Sequence, residues 1–93
     1  MVYTIIATLR TKKGKFEKAA QALKKHAEWL KSNEPGTIYY FVQKLRGEDT
    51  LVVYERYRDT AAFDMHKKNL TERAKDLFPL IDGDIAVQEL EDV

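Results

Sequence analysis

Apolar residues recur along this chain with two different periods, and the switches between them mark its elements. Val2 to Leu9 reads VYTIIATL, dense in β-branched and aromatic residues and closed by a polar cluster, which predicts a strand. After Gly14, residues Phe16, Ala19, Ala20, Leu23, Ala27 and Leu30 recur at spacings of three and four. That spacing puts them on one face of a helix, with Lys18, Lys24, Lys25 and Lys31 on the other. The helix is expected to stop near Ser32–Asn33, because Pro35 disfavours helical geometry at Glu34 and Gly36 weakens it further. Thr37 to Arg46 and Thr50 to Arg58 predict two more strands, joined by Gly47-Glu48-Asp49 as an antiparallel hairpin. Asp59 or Thr60 is placed to cap a second helix with Phe63, His66, Leu70, Ala74 and Leu77 along one stripe. Thr71 offers a second cap after a break near Asn69–Leu70, which would split this region into two short helices. Pro79 ends it, and Ile85 to Leu90 predicts a last strand.

The order β-α-β-β-α-β defines an α+β fold, a ferredoxin-like plait with a four-stranded antiparallel sheet and both helices on one face. Such a sheet ordinarily keeps one wet face and alternates apolar with polar residues. Here the alternation fails: Ile5 and Ile6, Ile38 through Val42, and Leu51 through Tyr54 put large groups on both faces. The helices cover only one of them. A second copy of the same sheet is the economical cover for the other, giving a homodimer by sheet-to-sheet packing. A surplus of exposed tyrosines is the plainer alternative.

Composition narrows the picture. All 93 residues fit one domain, 1–93, with no repeat, linker or low-complexity stretch. The absence of cysteine rules out disulfides and thiolate metal sites. Two histidines, His26 and His66, are too few for a structural zinc site unless carboxylates help, so no metal is expected. Sixteen Lys+Arg against 15 Asp+Glu leave a net charge of +1, far from that of a dedicated nucleic-acid binder. No apolar run approaches the ~20 residues of a membrane span. The chain passes from Met1 directly into strand-like sequence without a leader pattern, and a cytoplasmic, reducing setting fits best.

Several stretches in order carry a resemblance. Glu34-Pro35-Gly36 entering a strand, then Leu51-Val52-Val53-Tyr54-Glu55-Arg56-Tyr57-Arg58-Asp59, then Ala62-Phe63 and His66, with the closing Gly83-Asp84-Ile85-Ala86-Val87, together resemble the antibiotic biosynthesis monooxygenase domain family. The resemblance implies a homodimer whose two sheets form an α+β barrel. It also implies a cofactor-independent monooxygenase acting on phenolic, quinol or polyketide-like molecules. Relatives include haem-degrading enzymes and a sugar-phosphate isomerase, so fold alone leaves the chemistry open. The haem-degrading branch uses an Asn, a Trp and a His where this chain has Ala7, His66 and, near the last, Asp76. Haem cleavage is therefore not expected.

His66 is the first chemical candidate. Its place on the apolar stripe points it at the sheet, and a histidine, ordinarily titrating near ~6.5, suits proton abstraction from a phenol or quinol. A core histidine bonded to backbone, or one capping a helix break, is the bland alternative. Trp29 falls off the main stripe of the first helix, near Ala22 and beside His26. It either packs, as in a dimer contact, or walls an aromatic pocket. Tyr39, Tyr40, Tyr54 and Tyr57 crowd the hairpin, and Tyr39 and Tyr40 cannot face the same cavity. Strand propensity explains the enrichment; one or two phenols facing the helices would also suit a planar ligand. Tyr40, Tyr54 and Phe63 join Trp29 as candidate pocket walls for a small aromatic or quinone-like molecule. Glu55 is expected to pair with a basic neighbour across the sheet or subunit boundary, with general base as the minority role. Arg10 to Lys15 is either a phosphate-holding loop or a solvated one.

Three functions compete. The first is oxygenation of an electron-rich phenol without a cofactor, with His66 as proton acceptor. The second is a dimeric small-molecule binding protein or isomerase of the same fold. The third, RNA binding, has the right element order, but TLVVYERY at Thr50–Tyr57 lacks the basic residue and glycine of the RNA recognition motif.

Overall fold

Strands and helices form where the two periodicities place them. In a computed structural model describing residues Met1 to Val93, β1 spans Tyr3–Arg10, α1 Phe16–Asn33, β2 Thr37–Lys44, β3 Thr50–Tyr57, α2 Thr60–Arg73 and β4 Ala86–Leu90. A short 3₁₀ turn covers Phe78–Leu80. The strands form one antiparallel sheet in the order β2-β3-β1-β4, the ferredoxin-like arrangement expected from the sequence. No helix is long and apolar enough to cross a membrane.

Local chemistry sets the boundaries. Gly14 adopts φ of +73°, a left-handed conformation that glycine enters without a Cβ penalty, and α1 begins two residues later. Asp59 is the cap of α2, its carboxylate accepting from the Ala62 N–H at 2.8 Å. The expected break near Asn69–Leu70 does not occur. Thr71 instead donates its hydroxyl back to the Lys67 carbonyl at 2.9 Å, which satisfies it inside a continuous helix. Helix α2 ends at Arg73, and Pro79 sits within the 3₁₀ turn.

Strand parity sorts the side chains. Leu51, Val53, Glu55 and Tyr57 of β3 turn toward the helices, opposite Leu9, Ala7, Ile5 and Tyr3 of β1. The layer between sheet and helices thus has two halves. One is dry, built from Ala7, Leu9, Leu51 and Val53 against Ala19, Leu23, Leu77 and Ile81. The other, past Ile5, is aromatic and polar. On the uncovered face, Tyr39 (48% exposed) and Phe41 (51%) stack on one another, and Phe41 stacks on Tyr54. Arg56, also on that face, donates to Thr4 and bidentately to Asp92, tying the last residues of the chain to the sheet.

A bulge at the start of β2 decides which tyrosine faces in. The register shifts between Thr37 and Tyr39, so Thr37 and Tyr40 both face the helices and Tyr39 faces out. The bulge is pinned by a close approach: the Gly36 carbonyl accepts from the Arg58 N–H at 2.8 Å, and a Cβ at Gly36 would lie 2.7 Å from the Ala62 Cβ. Gly36→Ala is therefore expected to cost about 1–3 kcal/mol, read as a lower denaturation midpoint. The double variant with Ala62→Gly should recover much of that loss, and equal midpoints for all forms would sink this account.

Candidate active site

The polar half of the layer is built from four elements that each contribute an ionisable side chain. On α1, the buried stripe Ala19, Leu23, His26, Leu30 repeats every three or four residues, and His26 occupies an apolar position in it. One turn beyond Leu30 stands Glu34, the first residue after α1, whose N–H still donates to the Leu30 carbonyl. It is buried although it opens the Pro35-Gly36 turn. His66 comes from the stripe of α2, and Glu55 and Tyr57 come from β3.

These groups form one network. His66 Nδ1 lies 3.1 Å from Glu34 Oε1, and its Nε2 lies 3.7 Å from Glu55 Oε1. Thr37 Oγ1 donates to Glu34 Oε1 at 2.8 Å and Asn69 Nδ2 donates to Oε2 at 2.9 Å. The Tyr57 hydroxyl bonds to Glu55 Oε1 at 2.5 Å. Rings close the space around the imidazole: Tyr40 at 5.1 Å, Tyr57 at 5.4 Å and His26 at 5.7 Å between centroids. His66 is only 2% exposed.

The two carboxylates are driven apart in acidity by their surroundings. Burial works against ionising Glu34, but hydrogen bonds from His66 and Asn69, the neighbouring His66 and Thr37 outweigh it and hold the carboxyl below its ordinary range. Burial pushes the Glu55 carboxyl up, over the opposing effects of Tyr57 and His66. Burial likewise raises the phenols of Tyr40 and Tyr57, each next to Glu55, so both stay protonated. His26 is lowered by burial and by its neighbour His66. An ionised Glu34 is an acceptor only, so Nδ1 of His66 carries the ring proton toward it and Nε2 is left as the free acceptor.

The structure brings together some of the residues singled out in the sequence and separates others. Tyr40 packs on His66, and Phe63 reaches it through Tyr57, 5.3 Å away. Trp29 stacks on His26 at 5.6 Å, beneath the Arg73 guanidinium at 4.2 Å, one ring removed from His66. Tyr54 lies on the uncovered face, because its neighbour Glu55 faces the helices. It therefore does not share a cavity with His66. Within this chain Glu55 meets no Lys or Arg across the sheet: its partners are Tyr57 and, at 3.7 Å, the His66 imidazole, while Arg56 points to the other face and binds Asp92. The loop Arg10 to Lys15 provides no side-chain cap to α1.

Two clefts reach the network from outside. One, of about 610 Å³, runs between α1 and the edge strand β2 and is lined by Ala27, Leu30, Glu34, Tyr40 and Val42 among others. The other, of about 510 Å³, lies between the end of α1 and the start of α2, with Trp29, Glu34, Gly36, Met65 and Asn69 in its walls. Glu34 borders both. Tyr40 lines the first cleft and packs on His66, so its ring separates the imidazole from that space.

A ferredoxin-like α+β domain with a carboxylate-held histidine walled by aromatic rings is the class this geometry defines. The chain belongs to the antibiotic biosynthesis monooxygenase family, whose profile matches residues 2–74. Its fold is that of a candidate antibiotic biosynthesis monooxygenase from Caulobacter crescentus, with a TM-score of 0.88 at 22% identity over 99% of this chain and 90% of the other. A candidate member from Bacteroides thetaiotaomicron superposes with a TM-score of 0.87 at 14% identity, covering 99% and 90%. A conserved protein from Methanosarcina mazei gives 0.84 at 21% identity, covering 100% and 94%. Among proteins of curated function, none matches this chain.

Proposed function

We propose that this protein is a cofactor-independent monooxygenase for a phenolic or quinol molecule, and that His66 is its proton acceptor. The observation that carries this reading is the Glu34–His66 pair. A buried carboxylate fixes the imidazole through Nδ1 and leaves Nε2 free to take a proton, among rings suited to a planar substrate. The substrate occupies the cleft beside β2, and its ring takes the place of the Tyr40 side chain against His66. Deprotonation gives an electron-rich anion that itself reduces oxygen. For a hydroquinone the change balances without another reductant: hydroquinone and O₂ give a hydroxyquinone and water. The protein supplies the base, the dry walls and, through the protonated Tyr40, a hydrogen-bond donor for developing negative charge.

The test is oxygen uptake by a panel of hydroquinones and polycyclic phenols, with product analysis in ¹⁸O₂. Faster uptake than without protein, with one labelled oxygen in the product, is expected for at least one substrate. Strong thermal stabilisation by such a ligand without turnover would instead favour a binding protein or isomerase of the same fold.

The uncovered sheet face serves as the contact with a second copy of the chain. Tyr39, Phe41 and Tyr54 form a stacked apolar row there that the helices of the same chain do not reach. Phe41→Glu places a charge in that row and is expected to convert a dimer into a monomer at micromolar concentration, measured by light scattering. A monomeric mass for the unaltered protein would overturn the assignment.

A further inference from the structure

We propose that His26, Glu34 and His66 form a binding site for a divalent transition-metal ion, with zinc the best match to two imidazoles and one carboxylate. One donor atom from each lies within 4.8 Å of the others, and all three side chains are buried. Such donors suit zinc, copper, iron and nickel, and do not suit calcium or magnesium.

The second observation is on His26. Its Nε2 is buried without any hydrogen-bond partner, in a side chain 5% exposed whose ring lies 5.7 Å from that of His66. A buried nitrogen stripped of water and left without a partner is unfavourable and calls for an occupant beside it. An ion between His26 and the Glu34–His66 pair supplies that partner. It takes the place of the proton that His66 Nδ1 directs at Glu34 Oε1, 3.1 Å away.

The surroundings fit a metal site in three further ways. Thr37 and Asn69 already orient the Glu34 carboxylate by hydrogen bonds. With an ion at Nδ1, the other His66 nitrogen carries the proton and faces Glu55, 3.7 Å away, as the outer partner of a ligating histidine does. A small cavity of about 100 Å³ bounded by Trp29, Arg73 and Asp76 reaches His26 and gives an approach from outside. Zinc bonds of roughly 2.0–2.2 Å place tetrahedral donors about 3.4 Å apart, so the widest of the three separations must shorten on loading. His26, held by stacking on Trp29 and by no hydrogen bond at Nε2, is the side chain free to move.

Zinc at Nδ1 removes His66 from proton transfer, so zinc is an inhibitor of the proposed oxygenation. That consequence rests on the reading of His66 as base; the binding itself does not.

The experiment is calorimetric titration of chelator-stripped protein with Zn²⁺ alone, and with Co²⁺ followed by visible ligand-field absorption. No substrate is present, so a failure of the oxygenase reading leaves the result intact. One ion per chain is expected, with His26→Gln and His26→Ala each weakening binding by at least about tenfold, the loss that even an outer partner can cause. No stoichiometric uptake by the unaltered protein overturns the proposal, whether or not the variants fold. Undiminished uptake by folded His26 variants overturns it as well, and would leave a buried water as the partner of His26.

Discussion

Glu34→Ala is expected to lower folding stability by about 2–4 kcal/mol, read as a shifted urea midpoint with an unchanged slope. Three donors, from His66, Thr37 and Asn69, converge on this carboxylate. Truncation leaves all three without an acceptor in a place closed to solvent on the sheet side. Breaking a fully buried ionic pair costs about 3–5 kcal/mol. Glu34 also borders two clefts, from which water can refill the space, so the loss should fall below the top of that range. Glu34→Gln keeps one acceptor and turns an amide against the remaining donors, so an intermediate loss is expected. A midpoint for Glu34→Ala within error of the unaltered protein would show that the network contributes nothing to stability.

His66→Asn is expected to reduce oxygen turnover by about 10²–10⁴-fold, the usual contribution of a general base. This replacement separates position from chemistry. The Asn amide can still donate toward Glu34 from near the place of Nδ1, but nothing replaces the Nε2 acceptor. The fall should therefore appear in kcat with KM little changed, while the unfolding midpoint moves far less than in Glu34→Ala. Turnover by His66→Asn equal to that of the unaltered protein would remove His66 from the mechanism.

Some of the site was legible in the sequence, and some was hidden for identifiable reasons. His66 stood on an apolar stripe, so its direction toward the sheet followed from helix period alone. His26 obeys the same rule, at Ala19, Leu23, His26 and Leu30, although a polar residue does not register in a pattern of apolar ones. Glu34 was masked by Pro35-Gly36, since turn residues are ordinarily exposed. It is buried because the turn folds back on α2, with Gly36 against Ala62. Glu55, expected to find a basic partner across the sheet or subunit boundary, is followed in the chain by Arg56 and Arg58. Strand alternation sends Arg56 to the other face and leaves Glu55 to Tyr57 and His66, across the layer. Thr71 can cap a helix or bond back within one, and only the surrounding turn decides which, so no break forms near Leu70.

The sequence by itself determined the order of the elements, the antiparallel hairpin and the apolar character of both sheet faces. Each of these follows from local period and turn chemistry, which a window of a few residues contains. Tertiary structure alone decided which tyrosine faces His66, because one bulged residue at Ile38 reverses the parity of the start of β2. It also decided that Glu34, Glu55, His26 and His66 meet. His26 and Glu34 come from α1 and its end, Glu55 from β3 and His66 from α2, and only the packing of α1 and α2 on one sheet face brings the four within ångströms of their neighbours.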